Sequence, residues 1–95
     1  MSRPPERLDG ARVMWWAWAG DRPFGEVYGA PEERRWVWGM AVCRYEGGEV
    51  YRFSCNEKWE VVQDSDHANE EEAKAGVPGN YDASRVRWVR FDAAR

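Results

Sequence analysis

Residues 34–55 read RRWVWGMAVCRYEGGEVYRFSC, and the fold turns on this stretch. Val, Trp, Tyr and Phe favour a pleated, half-buried backbone, and the run contains no Pro. Glu46-Gly47-Gly48-Glu49 interrupts it, and a Gly-Gly pair supplies the positive φ values of a two-residue hairpin turn. Two antiparallel strands are therefore predicted, over residues 34–45 and 50–55. With Gly47 and Gly48 at the tip, Arg44 opposes Tyr51, Val42 opposes Phe53 and Met40 opposes Cys55. One face then carries Trp36, Trp38, Met40, Val42, Tyr51, Phe53 and Cys55, as a core face should. The other carries Gly39, Ala41, Cys43 and Arg52, a trough of small residues around one arginine that a ligand or loop can approach closely. In this register the two cysteines fall on opposite faces, which opposes a disulfide between them; a slip of one residue reverses that conclusion.

Upstream, residues 12–19 (RVMWWAWA) form a strand with apolar side chains on both faces, Trp16 and Trp18 on one and Trp15 on the other, so cover is expected on both sides. Residues 1–10, with Pro4-Pro5, read as an extended N-terminal arm. Residues 20–33 (GDRPFGEVYGAPEE) hold three Gly and two Pro and read as a long loop pinned by Phe24, Val27 and Tyr28, with a short strand at 26–28 as the alternative. Downstream, Asn56-Glu57-Lys58 turns into a third meander strand over 59–64. Asp66 or Asn69 can cap a helix, with Glu72 three residues after Asn69 completing a capping box, and Gly76 with Pro78 stops that short helix. Residues 86–91 (VRWVRF) read as a final strand. The sum is a single α+β domain over 1–95. It comprises an antiparallel sheet of about five strands in the order strand, long loop, three-stranded meander, short helix, strand, with a partly open barrel as its curled form.

The composition is that of a folded domain. Of 95 residues, 43% are hydrophobic and 33% charged, which excludes a disordered tail. No stretch approaches the roughly 20 apolar residues of a membrane helix, so no membrane partner is expected. The formal charge of −3 opposes nucleic-acid binding by bulk charge. There is no apolar leader-like run, and the two cysteines suit a reducing compartment, so a cytoplasmic protein is expected. Trp occurs seven times, Leu once, and Ile and Thr not at all, so Val and the aromatic residues must build the core.

No catalytic constellation emerges. The two cysteines have no sequence neighbour to act as a base, and mid-strand cysteines behave as small hydrophobes. A single histidine, His67, closes off the common zinc patterns. The segment from Asp64 opens like a calcium loop, but Ala68 and Asn69 stand where a ligand and the turn glycine belong. No metal or cofactor is expected. The function expected is non-catalytic binding to a protein, foremost a second copy, through an aromatic patch. The candidate surface comprises Trp15, Trp16, Phe24, Tyr28, Arg52, Arg87 and Trp88. One alternative is a small-molecule pocket beneath the 20–33 loop. A second is single-stranded nucleic acid bound by Arg and Trp strand faces.

Overall fold

The computed structural model describes residues 2–29 and 33–92; the side chains at 28, 29, 33 and 34 also lie outside the description. The elements are β1 (Arg7–Leu8), β2 (Ala11–Trp18), β3 (Gly25–Gly29), β4 (Glu33–Val37), β5 (Gly39–Arg44), β6 (Val50–Cys55), β7 (Val61–His67), helix α1 (Glu70–Ala75), a 3-10 turn (Ala83–Arg85) and β8 (Val89–Arg90). The expected α+β fold is the one the chain adopts. Strands in the order β1-β2-β5-β6-β7 form a curled antiparallel half-barrel, β8 pairs with β2, and β3 and β4 form a separate hairpin. No helix among the described residues is long and apolar enough to cross a membrane.

The central hairpin is present, but its register is one residue away from the expected one. Arg44 opposes Val50, Val42 opposes Arg52, Met40 opposes Ser54 and Gly39 opposes Cys55. Gly47-Gly48 is not the tip by itself. Tyr45 and Glu49 close a three-residue loop in which Gly48 alone takes a positive φ, +101°. This is the turn-plus-left-handed-glycine solution for longer hairpin loops. Because side chains alternate with period two, the slip exchanges the faces. Cys43 and Cys55 therefore share one face, with Ala41 and Phe53, and both are free thiols. Arg52 leaves the small-residue trough for the opposite face.

The trough itself is filled. Trp59, in a left-handed backbone conformation (φ 63°), lies over Gly39. Asn56 builds the turn that aims it, its Oδ1 accepting from the backbone N–H groups of Lys58 and Glu60. β7 accordingly starts at Val61, two residues later than expected. A bulge at Met14 in β2 also alters the alternation, because pairing passes from Val13 to Trp15. Val13 and Trp16 thus share a face, while Trp15 and Ala17 point to the other.

Three further differences concern the ends. The 1–10 arm contains β1, turned back onto β2 by Asp9 and Gly10, both at positive φ (49° and 84°). The 20–33 segment is not all loop: β3 occupies Gly25–Gly29, the short-strand alternative, and pairs along β4 with Val27 and Phe24 buried. The last strand is only Val89–Arg90, since residues 86–88, which follow a 3-10 turn over Ala83–Arg85, run as irregular backbone and Trp88 packs beside α1.

The half-barrel buries both faces. One face collects Leu8, Val13, Trp16, Ala41, Cys43, Phe53, Cys55 and Trp59. The other is covered by α1 and by residues 77–88, with Met40, Val37, Phe24 and Tyr81 in one cluster and Val42, Val50 and Ala73 in a second. Of the two expected caps of α1, Asn69 is the one used, while Asp66 lies in β7. Asn69 Oδ1 accepts from the Glu72 N–H at 2.8 Å, and Glu72 Oε1 accepts from the Ala68 N–H at 2.8 Å.

Candidate functional site

In β4 the side chains alternate. Val37 is fully buried, while Trp36, paired with Glu26 of β3, projects to solvent and is 48% exposed. Every other tryptophan is buried or half-buried. Trp36 stands between two concavities. One is a shallow apolar recess of about 430 Å³ formed with Arg22, Pro23 and Trp38. The other is a groove of about 490 Å³ whose floor includes Val61 and Val62 and whose rim carries Glu57 and Glu60.

The surroundings of the recess are fixed from beneath. Trp38 lies against Trp18 (ring centroids 6.1 Å apart), and Trp18 against Trp59 (5.7 Å), so the recess wall belongs to a stack of indoles that reaches the core. Arg85 secures the other wall, donating to the carbonyls of Ala19 (2.8 Å), Arg22 (3.3 Å) and Pro23 (2.6 Å) and pairing with Asp82 at 3.0 Å. Hydrogen bonds from Ser84 and then Arg85 hold the Asp82 carboxyl below its ordinary pKa. One guanidinium thus ties the Arg22 and Pro23 carbonyls of this loop to Ala19 and Asp82.

The residues singled out from the sequence lie in different places. Trp15 packs beside α1; its Nε1–H donates to Glu70 Oε1 (3.0 Å) and Lys74 Nζ lies 3.6 Å from its ring centroid. Trp88 joins it there, its Nε1–H donating to the Lys74 carbonyl at 3.2 Å. Trp16 is buried on the opposite face, edge-on to Trp59. Phe24 is buried among Val27, Val37 and Tyr81. The Tyr28 backbone pairs with Arg34, but its side chain lies outside the described residues. Arg87 is exposed and donates to the Ser84 and Val86 carbonyls. Trp15 and Trp88 are therefore brought together, while Trp16, Phe24, Arg52 and Arg87 are not.

Arg52 is a structural group. It is 6% exposed, and Nη1 donates to the carbonyls of Ala73 (3.2 Å) and Gly76 (2.7 Å) at the C-terminal end of α1. Burial lowers its pKa, and its positive charge faces the negative end of the helix dipole. Beside it, Tyr81 donates to Gln63 Oε1 (3.2 Å), so Ser54 supplies the proton of the 2.9 Å Ser54–Tyr81 bond.

The thiols offer no nucleophile. Burial pushes Cys43 far above the ordinary range and Cys55 up to about 12, the second carrying a smaller contribution from Asp9. Among the described residues no group of three or more His, Cys, Asp or Glu side chains is placed to hold a metal ion.

Trp36, Trp38, Pro23 and Arg22 were not singled out in the sequence, because the expected register put both indoles on a core face. The available signal was the charge beside them: Arg34-Arg35 directly precede Trp36, as at the end of a sheet rather than its middle. Comparison of the chain with protein-family models, curated proteins and solved structures finds no match.

Proposed function

We propose that this protein acts by binding, as a cytoplasmic interaction module whose contact surface is Trp36 with the Pro23–Trp38 recess, and whose partner is a second copy of itself. The exposure of Trp36 carries this reading. An indole half in water forgoes much of its burial free energy, and Trp and Arg are the residues enriched where a few side chains dominate an interface. The surface is also self-complementary in outline. A projecting ring sits next to an apolar recess, so a two-fold axis between them seats each Trp36 in the other copy's recess. Arg22, at the rim and 66% exposed, suits the polar border of such a contact.

Sedimentation velocity over a concentration series tests this, with native mass spectrometry on the same samples. The expected result is a concentration-dependent dimer for the wild type and a monomer for Trp36→Ala, with unchanged circular dichroism. A wild type that stays monomeric throughout, or a Trp36→Ala dimer of equal strength, overturns the reading. A small molecule retained by a monomer would assign the recess to a ligand instead.

A further inference from the structure

Three arginines stand in one row across three neighbouring strands. Arg7 of β1 lies opposite Arg12 of β2, and Arg12 lies opposite Arg44 of β5. Directly opposed residues of antiparallel strands point to the same face with Cα atoms about 4.5–5.5 Å apart. Like charges in that position repel, at a cost to stability. Arg44 is neutralised by Glu70 at 2.9 Å and also donates to the Gly48 carbonyl. Among the described residues, Arg7 and Arg12 make no hydrogen bond or ion pair through their side chains. This holds even though Glu6 and Glu46 line the clefts beside them.

Those clefts open on both sides of the pair. One, of about 280 Å³, is bounded by Arg90 and Phe91; the other, of about 340 Å³, by Arg44 and Tyr45. Arg7 and Arg12 line both. The backbone beneath is held firmly. The Asp9-Gly10 turn sets Arg7 against Arg12, the Val13 N–H donates to Glu6 O at 2.9 Å, and the Tyr45 hydroxyl donates to the Asp9 carbonyl at 2.9 Å. Two unpaired guanidinium groups are therefore mounted on a rigid three-strand platform, where an anion between them relieves their repulsion.

We infer that the Arg7–Arg12 pair, flanked by Arg44 and Arg90, is a binding site for the phosphoryl groups of a small phosphorylated molecule. Guanidinium forks match phosphate oxygens two at a time, and strand-mounted side chains place the forks in advance. A single-stranded nucleic acid is the less suited occupant. It needs open aromatic faces for its bases. Here Arg3 lies 4.7 Å from the Phe91 centroid, and Lys74 and Arg90 lie over Trp15, while both rings also pack against the core clusters. The formal charge of −3 is likewise unfavourable to a long polyanion.

Titration calorimetry with inorganic pyrophosphate, at low and matched ionic strength, tests the assignment. Saturable binding by the wild type is expected, weakened about tenfold or more in Arg12→Gln and in Arg7→Gln. Thermal melts of the ligand-free proteins supply a second readout. Relief of the like-charge contact keeps the melting temperature of Arg12→Gln at or above that of the wild type in low salt, whereas a merely structural arginine would lower it. No saturable binding at millimolar pyrophosphate, or equal binding by the Arg7→Gln/Arg12→Gln double variant, overturns the proposal. So does tight binding of a single-stranded oligonucleotide that pyrophosphate does not displace.

Discussion

Replacing Gly39 with Ala adds one methyl group at a point where the structure has no room for it. A Cβ on Gly39 would lie 2.6 Å from Cη2 and 2.7 Å from Cζ3 of Trp59, closer than carbon atoms approach without something moving. The ring is poorly able to retreat. It is 6% exposed, edge-on to Trp16 at 6.3 Å, tilted against Trp18, and its Nε1–H donates to Ser2 Oγ at 2.9 Å. Overpacking of this kind costs about 1–3 kcal/mol, which for a domain of this size lowers the melting temperature by roughly 5–20 °C. Gly79 is the control. A Cβ there meets nothing within 4 Å, so Gly79→Ala is expected to be neutral or to stabilise by up to about 1 kcal/mol through the unfolded chain. Urea unfolding of both variants reads the difference. Repeating Gly39→Ala in a Trp59→Leu background should remove most of the penalty, because the obstructing ring is gone. A Gly39→Ala variant within about 0.5 kcal/mol of wild type, or the same penalty in both backgrounds, would refute the placement of Trp59 over the sheet.

Arg52→Met leaves the Ala73 and Gly76 carbonyls without their donor, so a loss of about 1–3 kcal/mol and faster amide exchange in α1 are expected; a gain in stability would show that burying the guanidinium outweighs its bonds. The Glu70 carboxyl is held below its ordinary value of 4.5, chiefly by the hydrogen bond from Arg44 and, against some burial, by that from Trp15. Since its pKa is depressed on folding, its contribution is fully present above about pH 4.5 and is lost as the pH falls through the folded value. Wild type should therefore lose more stability than Glu70→Gln between pH 6 and 3, and parallel curves would remove Glu70 from the acid response. Both thiols, buried and with raised pKa values, should resist iodoacetamide in the native state at pH 8 and react on unfolding. Native labelling at the unfolded rate would place at least one at the surface.

The parts of the fold legible in the sequence are those determined by neighbours along the chain. Aromatic and valine-rich runs mark β2, β5 and β6, and Asn69 with Glu72 marks the entry to α1, because propensity and capping act within a few residues. Register is not local in that sense. Gly47-Gly48 satisfies a two-residue turn as well as the three-residue loop that forms, and the choice is made by what the strands meet: Trp59 needs Gly39 beneath it, and the end of α1 needs Arg52. The Met14 bulge is hidden for the same reason, since either alternation of RVMWWAWA offers apolar side chains to both faces. Asp9-Gly10 was a readable hairpin signal, obscured by the Pro4-Pro5 arm before it. The candidate surface was less legible than the fold, because the expected 34–45 strand breaks at Trp38, and residues 33–37 pair with β3 in a hairpin of their own, where Trp36 faces water.

The distribution of the seven indoles bears on which surface carries function. Trp16, Trp18 and Trp59 cover the sheet face that has no helix, and Trp15 and Trp88 fill the space beneath α1 on the other. Trp38 joins the two regions, packing on Trp18 and against the cluster of Phe24 and Tyr81. These six account for the aromatic content the fold itself requires. Trp36 belongs to none of the core clusters, while its neighbour Val37 fills the interior at that point of β4. A polar residue at position 36 would leave the core as it is, so Trp36→Ser should change stability by no more than about 1 kcal/mol, against about 3–5 kcal/mol for Trp16→Ala. Equilibrium unfolding in urea, at a protein concentration low enough to exclude self-association, measures both. A large loss at Trp36 would make its indole part of the fold and take away the reason to assign it to a partner.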